Sequence, residues 1–178
     1  AIPPESLERL FGIVGTHFAL AENAEISTEC NPESLTAEKA AVLGHYVNRV
    51  SMGVQSFDPK FRSLIGRRGG GGETVAHAVE LLRSNGIANL GFDLIYALPE
   101  QTPRDWVREL ETALGYAPCH ISAYSLIVED GTELAARGVP PEDNELSFAM
   151  WQIAQDILSA HGMPRYEISN YAAKKYEC

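Results

Sequence analysis

The 178-residue chain is 45% apolar and 21% charged, proportions that support one sizeable core and exclude disordered and collagen-like chains. With 24 Asp and Glu against 14 Lys and Arg the net charge is -10, which repels phosphate backbones and anionic membrane surfaces and argues against a nucleic-acid partner. No apolar run approaches the roughly 18–20 residues that span a bilayer, no leader pattern opens the chain, and Cys30, Cys119 and Cys178 form no close pair, so the reading is a cytoplasmic protein with reduced thiols and no transmembrane segment.

Helical and strand patterns alternate along the chain. Pro3-Pro4-Glu5-Ser6 starts a helix with Leu7, Leu10, Phe11 and Val14 on one face, since proline is tolerated in a first turn. Residues 25–30 predict a strand that stops at Asn31-Pro32, because a residue before proline is driven to extended geometry. Thr36 caps a helix running to about Gly44, residues 48–54 form the next strand, and Asp58-Pro59 opens a short helix through Phe61, Leu64 and Ile65. A longer helix spans 73–85 and ends at Gly86, where positive φ costs little. Residues 90–96 are almost continuously apolar, the pattern of a strand buried on both faces. Thr102 caps a helix through Trp106, Leu110 and Leu114, and residues 121–126 make a fourth strand. Residues 143–161 make the longest helix, with Phe148, Trp151, Ile153, Ile157 and Leu158 as core candidates. Four such units joined by right-handed crossovers predict an α/β fold of parallel strands with outer helices, either an arc of a βα barrel or a small doubly wound sheet.

Functional groups of parallel sheets gather at strand C-termini, and the first three strands end in Glu29, Gln55 and Asp93, with Arg67 on the element after the second. A lone buried carboxylate is costly, so two acids, an amide and a guanidinium along one rim suit a polar, partly cationic ligand. The competing reading makes Glu29 and Asp93 helix caps or partners of Arg49 and Arg67. Gly69 to Gly72 lacks the Gly-Lys-Ser/Thr of a P-loop and reads as a surface insertion. The histidines show no i, i+4 pairing, which argues against a zinc site, and His120 reads as a satisfied core group.

The runs Glu25-Ile26-Ser27-Thr28-Glu29-Cys30-Asn31-Pro32, Asn48-Arg49-Val50-Ser51-Met52-Gly53-Val54-Gln55-Ser56-Phe57, Asp93-Leu94-Ile95-Tyr96-Ala97-Leu98-Pro99 and Gln101-Thr102 resemble the radical S-adenosylmethionine enzymes related to oxygen-independent coproporphyrinogen III oxidase. Tyr124-Ser125-Leu126, the turn Glu129-Asp130-Gly131-Thr132 and Tyr166-Glu167-Ile168-Ser169-Asn170-Tyr171-Ala172 look most like the haem-chaperone branch of that group. The resemblance implies an arc of a partial (β/α)6 barrel over residues 1–162, with residues 163–178 starting a C-terminal extension. It implies that the rim binds S-adenosylmethionine, with Glu29 near the methionine end, Gln55 and Arg67 at the ligand's polar edge, Asp93 accepting from the ribose hydroxyls and Ile127 against the adenine. The chemistry agrees: an α-ammonium suits carboxylates, a carboxylate suits a guanidinium, and vicinal hydroxyls suit an acceptor.

The same resemblance implies a 4Fe-4S cluster, which when reduced passes an electron to the sulfonium and yields a 5′-deoxyadenosyl radical. It also implies haem, delivered to haem-receiving proteins, with oxidation of coproporphyrinogen III as the alternative activity. The family's CxxxCxxC cluster motif and Gly-Gly-Thr-Pro segment are expected upstream of Ala1. The chain is therefore expected to be a central excerpt without cluster ligands, inactive alone and prone to self-association through uncovered sheet edges. Ala97 and Glu100 stand where relatives often carry glycine.

Overall fold

Helix caps and proline punctuation set the element ends in the computed structural model, which describes residues 2–67, 71–139 and 143–178. Helix α1 (Pro4–His17) precedes strand β1 (Ser27–Cys30), which gives way to a 3-10 turn at Pro32–Ser34. Helix α2 (Ala37–Tyr46) is capped by the Thr36 side chain, which accepts from the Lys39 N–H. Strand β2 (Arg49–Gln55) leads into α3 (Pro59–Leu64), capped by Asp58, and then α4 (Gly72–Ser84). Strand β3 (Asn89–Tyr96) is followed by α5 (Pro103–Gly115), which opens with a complete capping box between Thr102 and Asp105. Strand β4 (His120–Ser125), the short α6 (Glu133–Ala136), α7 (Asn144–Ala160) and strand β5 (Asn170–Ala172) complete the chain. Gly131 at φ 81° and the Thr132 cap explain the Glu129 to Thr132 turn, which reverses the chain into α6.

The sheet order is β1-β2-β3-β4-β5, with β1 to β4 parallel and β5 antiparallel to β4. A doubly wound sheet reverses its strand order at a switch point; sequential neighbours without reversal make an arc of a barrel. The sequence predicted four strands. The fifth is only three residues long and carries no alternation, so its pairing to β4 is a tertiary event. Tyr171 at its centre is fully buried and belongs to the same core.

One sheet face is apolar and the other polar. Val50, Met52 and Val54 of β2, Leu90, Phe92, Leu94 and Tyr96 of β3, and Ile121 and Ala123 of β4 pack under Val75, Val79 and Leu82 of α4, Trp106 and Leu110 of α5, and Met150, Ala154 and Leu158 of α7. On the opposite face the alternate residues Ser51, Gln55, Asp93 and Ser122 line cavities. Strand β3 is thus not buried on both faces: its apolar run is interrupted by Gly91 and Asp93 on the polar side, and Asp93 lies in mid-strand, paired in register with Gly53 and Ser122, rather than at the strand end. On α7, Leu158 is buried in the core and Trp151, Ile153 and Ile157 pack against it as expected, but Phe148 does not. Ser147, Met150, Ala154 and Leu158 are its buried residues, whereas Phe148 is 58% exposed and stacks on Trp151.

Helices α2 and α4 touch at Gly44, where an added Cβ would lie 2.2 Å from the backbone oxygen of Asn85. Backbone against backbone cannot relax cheaply, so Gly44→Ala is expected to lower the unfolding free energy by about 2 kcal/mol, a typical overpacking cost, measured by urea denaturation.

Candidate ligand-binding site

Period-2 alternation puts the polar side chains of adjacent strands in layers across the concave face. Glu29, Ser51, Gly91 and His120 share one layer by register, and Gly53, Asp93, Ser122 and Asn170 share the next. Two cavities open on this face. One, of about 420 Å³, is lined by Glu29, Gln55, Arg67 and Asp93 together with Asn31 and Lys39. The other, of about 640 Å³, shares Glu29, Gln55 and Asp93 and extends to Ile127, His120 and Cys178. The four polar residues singled out from sequence therefore converge, and Ile127 stands 68% exposed at the far rim.

The competing assignment of these acids is not what the chain does. The caps of α2, α3 and α5 are Thr36, Asp58 and Thr102. Arg49 pairs with Glu25 at 3.1 Å, and Arg67 donates to the Asn31 side-chain oxygen at 2.8 Å. Asp93 accepts from the Ser51 hydroxyl at 3.1 Å. Burial pushes its carboxyl above the usual range, the Ser122 and Ser51 hydroxyls oppose that shift, the nearby Glu29 charge adds to it and the Arg49 charge opposes it. An acceptor held so, with hydroxyls rather than a cation as its closest partners, is suited to receive donors from a guest. Gly53 keeps the floor open: a Cβ there would come within 3.1 Å of both the Asn31 oxygen and the Gln55 amide nitrogen.

Asn31, Ser51 and Ser122 escaped the sequence reading. Their signal was the alternation itself, since Arg49, Ser51, Gly53 and Gln55 of β2, and His120, Ser122 and Tyr124 of β4, are the non-aliphatic half of each strand. His120 is buried as expected, but only half bonded: Nε2 meets the Tyr166 hydroxyl at 2.8 Å, while Nδ1 makes no hydrogen bond to protein. Of the run Gly69 to Gly72, Gly69 and Gly70 lie outside the described residues, while Gly71 is the N-cap of α4 and Gly72 its first residue.

Ala97 and Glu100, in the loop that follows β3, have φ of 56° and 62°. Left-handed backbone is the reason glycine is favoured at such positions. Ala97→Gly is expected to raise the unfolding free energy by about 0.5–1 kcal/mol, the relief of strain exceeding the entropy returned to the unfolded chain, read out as a higher urea midpoint.

The thiols do not fit an iron-sulfur centre. Such clusters are held by several cysteine thiolates; burial pushes the Cys30 thiol up to about 12, with Asp93 and Glu33 adding to the effect, whereas at Cys178 burial is outweighed by the Tyr166 and Arg49 side chains, which hold the thiol low. Among the described residues no three His, Cys, Asp or Glu side chains are grouped to hold a metal ion.

A sequential parallel arc, apolar outside and polar within, with two acids, an amide and a guanidinium converging on one cavity, defines a partial-barrel α/β protein with a polar mouth. The profile of the radical SAM superfamily matches residues 4–113, and the chain belongs to that superfamily. It is 37% identical over 180 residues to the heme chaperone HemW of Mycobacterium tuberculosis (strain ATCC 25618 / H37Rv), an alignment covering 98% of this chain and 46% of that protein. It is 34% identical over 180 residues to the heme chaperone HemW of Bacillus subtilis (strain 168), covering 97% of this chain and 47% of that one. The chain thus spans about half the length of the curated relatives it matches. The fold superposes on the Escherichia coli coproporphyrinogen III oxidase HemN, a radical SAM enzyme, with a TM-score of 0.86 at 23% identity, over 98% of this chain and 41% of that one. It also resembles Elp3 of Methanocaldococcus infernus, with a TM-score of 0.71 at 19% identity, over 88% of this chain and 42% of that one. These two likenesses show the fold.

Proposed function

We propose that the chain is the S-adenosylmethionine-binding core of a haem chaperone. The observation that carries the ligand assignment is the convergence of Glu29, Gln55, Arg67 and Asp93 on one cavity. The cargo assignment rests on the similarity to HemW over nearly the whole chain. Asp93 would accept from the ribose hydroxyls, Glu29 would face the α-ammonium, Gln55 and Arg67 would hold the ligand's polar edge, and Ile127 would cover the adenine. In the whole protein a 4Fe-4S cluster, with ligands outside residues 1–178, would supply the electron that opens radical chemistry on the bound sulfonium. Haem and haem-receiving proteins are the proposed partners and the cytoplasm the proposed compartment; no helix among the described residues is long and apolar enough to cross a membrane. Residues 1–162 would form the barrel part, and residues 163–178, whose β5 extends the same sheet, would begin a C-terminal extension.

Isothermal titration of the protein with S-adenosylmethionine tests the site. Asp93→Ala is expected to weaken binding about 100-fold, the loss of hydrogen bonds to a charged acceptor. A wild-type protein that does not bind the ligand, or an Asp93→Ala variant of unchanged affinity, would overturn the assignment. Haem binding without decarboxylation of coproporphyrinogen III supports the chaperone; decarboxylation without haem binding would instead establish the oxidase.

A further inference from the structure

Gln55 ends β2 with φ of 68°, a left-handed backbone that side-chain-bearing residues enter at a cost. The register between β2 and β3 shifts between Gly53 and Gln55, so this one conformation decides which way the Gln55 amide points. Two buried charges grip the turn from opposite sides. The Arg62 guanidinium, 1% exposed, donates from Nη1 to the carbonyls that flank Gln55, Val54 at 2.5 Å and Ser56 at 3.2 Å, and from Nη2 to the Glu33 carboxylate. The Glu109 carboxylate on α5, 4% exposed, accepts from the Phe57 N–H at 2.7 Å, the Ser56 hydroxyl at 2.7 Å and the Asp58 N–H at 3.2 Å. The cation thus satisfies the turn's carbonyls and the anion its amides.

Burying two charges to form a chain reversal is expensive when glycine and water would do. Neither side chain is among the described residues lining the two cavities of the concave face. We infer that Arg62 and Glu109 are positioning residues that act through Gln55. They hold its backbone left-handed so that its amide faces the ligand cavity, and the pair of Arg62 with Glu33 ties the segment after β1, which carries Asn31, to α3, after which Arg67 follows. This rests on the reading that the cavity binds S-adenosylmethionine.

The test is a double-mutant cycle, read by titration with S-adenosylmethionine on the protein and on Glu109→Gln, Gln55→Ala and the double variant. Glu109→Gln is expected to weaken binding about tenfold, since an amide cannot accept three donors in the carboxylate's place. In the Gln55→Ala background it is expected to cost nothing further, because the residue it positions has gone. A purely structural role for Glu109 would give additive losses, or lowered stability at unchanged affinity, and either would overturn the inference. Ser56→Ala, which removes one of the three donors, completes the cycle if Glu109→Gln does not fold, with a loss of about threefold expected that likewise vanishes without Gln55. A wild-type protein that fails to bind the ligand removes the functional reading itself; additive losses with wild-type binding intact remove only the positioning role.

Discussion

Arg62→Met is expected to lower the unfolding free energy by about 3–5 kcal/mol, the cost of breaking a buried ion pair from one side, and to lower Tm by about 10 °C for a domain of this size. Methionine fills most of the volume of the arginine stem, so the cavity contribution is small. What is lost is the donor to the Val54 and Ser56 carbonyls and the partner of Glu33. The Glu33 side chain is 26% exposed, so water takes up part of its charge and the loss belongs at the lower end of that range. Adding Glu33→Leu should restore a measurable part, because the stranded charge goes with it. Lys in place of Arg62 should fall between, as an ammonium lacks the planar fork that spans three acceptors. Urea unfolding measures all three; a loss under about 1 kcal/mol for Arg62→Met would show that the clamp contributes little.

Acidification should weaken the protein through His120 by about 3 kcal/mol, from the size of its shift. Burial pushes its imidazole down to about 4 from an ordinary 6.5, and the Arg49 charge pushes the same way. The unfolded chain therefore binds a proton between those values that the folded chain refuses. Stability is full above pH 6.5 and falls as the pH drops towards 4. Asp93 and Glu109 act with the opposite sign, since burial raises their carboxyls and protonating them relieves the folded state. Subtracting the pH profile of His120→Gln from that of the wild type isolates the histidine. Glutamine can keep a hydrogen bond to the Tyr166 hydroxyl, so the difference should vanish at pH 7.5 and grow steadily below 6.5. Parallel profiles for the two proteins would refute the assignment.

The order of elements was legible because its causes are local. Thr36, Asp58, Thr102 and Asp143 announce helix starts by satisfying nearby N–H groups, and Asn31-Pro32 ends a strand by sterics alone. Glu29, Gln55, Arg67 and Asp93 were legible as candidates because charged and amide side chains beside aliphatic strands demand a reason. Ala97 and Glu100 stand where relatives often carry glycine, and their left-handed backbone supplies the cause.

What lay beyond the sequence is what depends on contacts between distant residues. Whether four parallel strands curve into a barrel arc or wind doubly is decided by which strands become neighbours, and adjacent βα units read the same either way. Asp93 looked terminal because an apolar run hides which of its residues face the helices, and only pairing with Gly53 and Ser122 puts it in mid-strand. Arg62 and Glu109 drew no notice as charged residues on helices, yet burial 53 and 52 residues away from Ser56 and Phe57 makes Glu109 the anchor of the Gln55 turn. By itself the sequence determined the elements, their ends and the chemistry available, through interactions within a few residues. The tertiary structure alone decided which face is polar, which charges are buried and how the cavity wall is held, because burial and register are properties of the packed sheet.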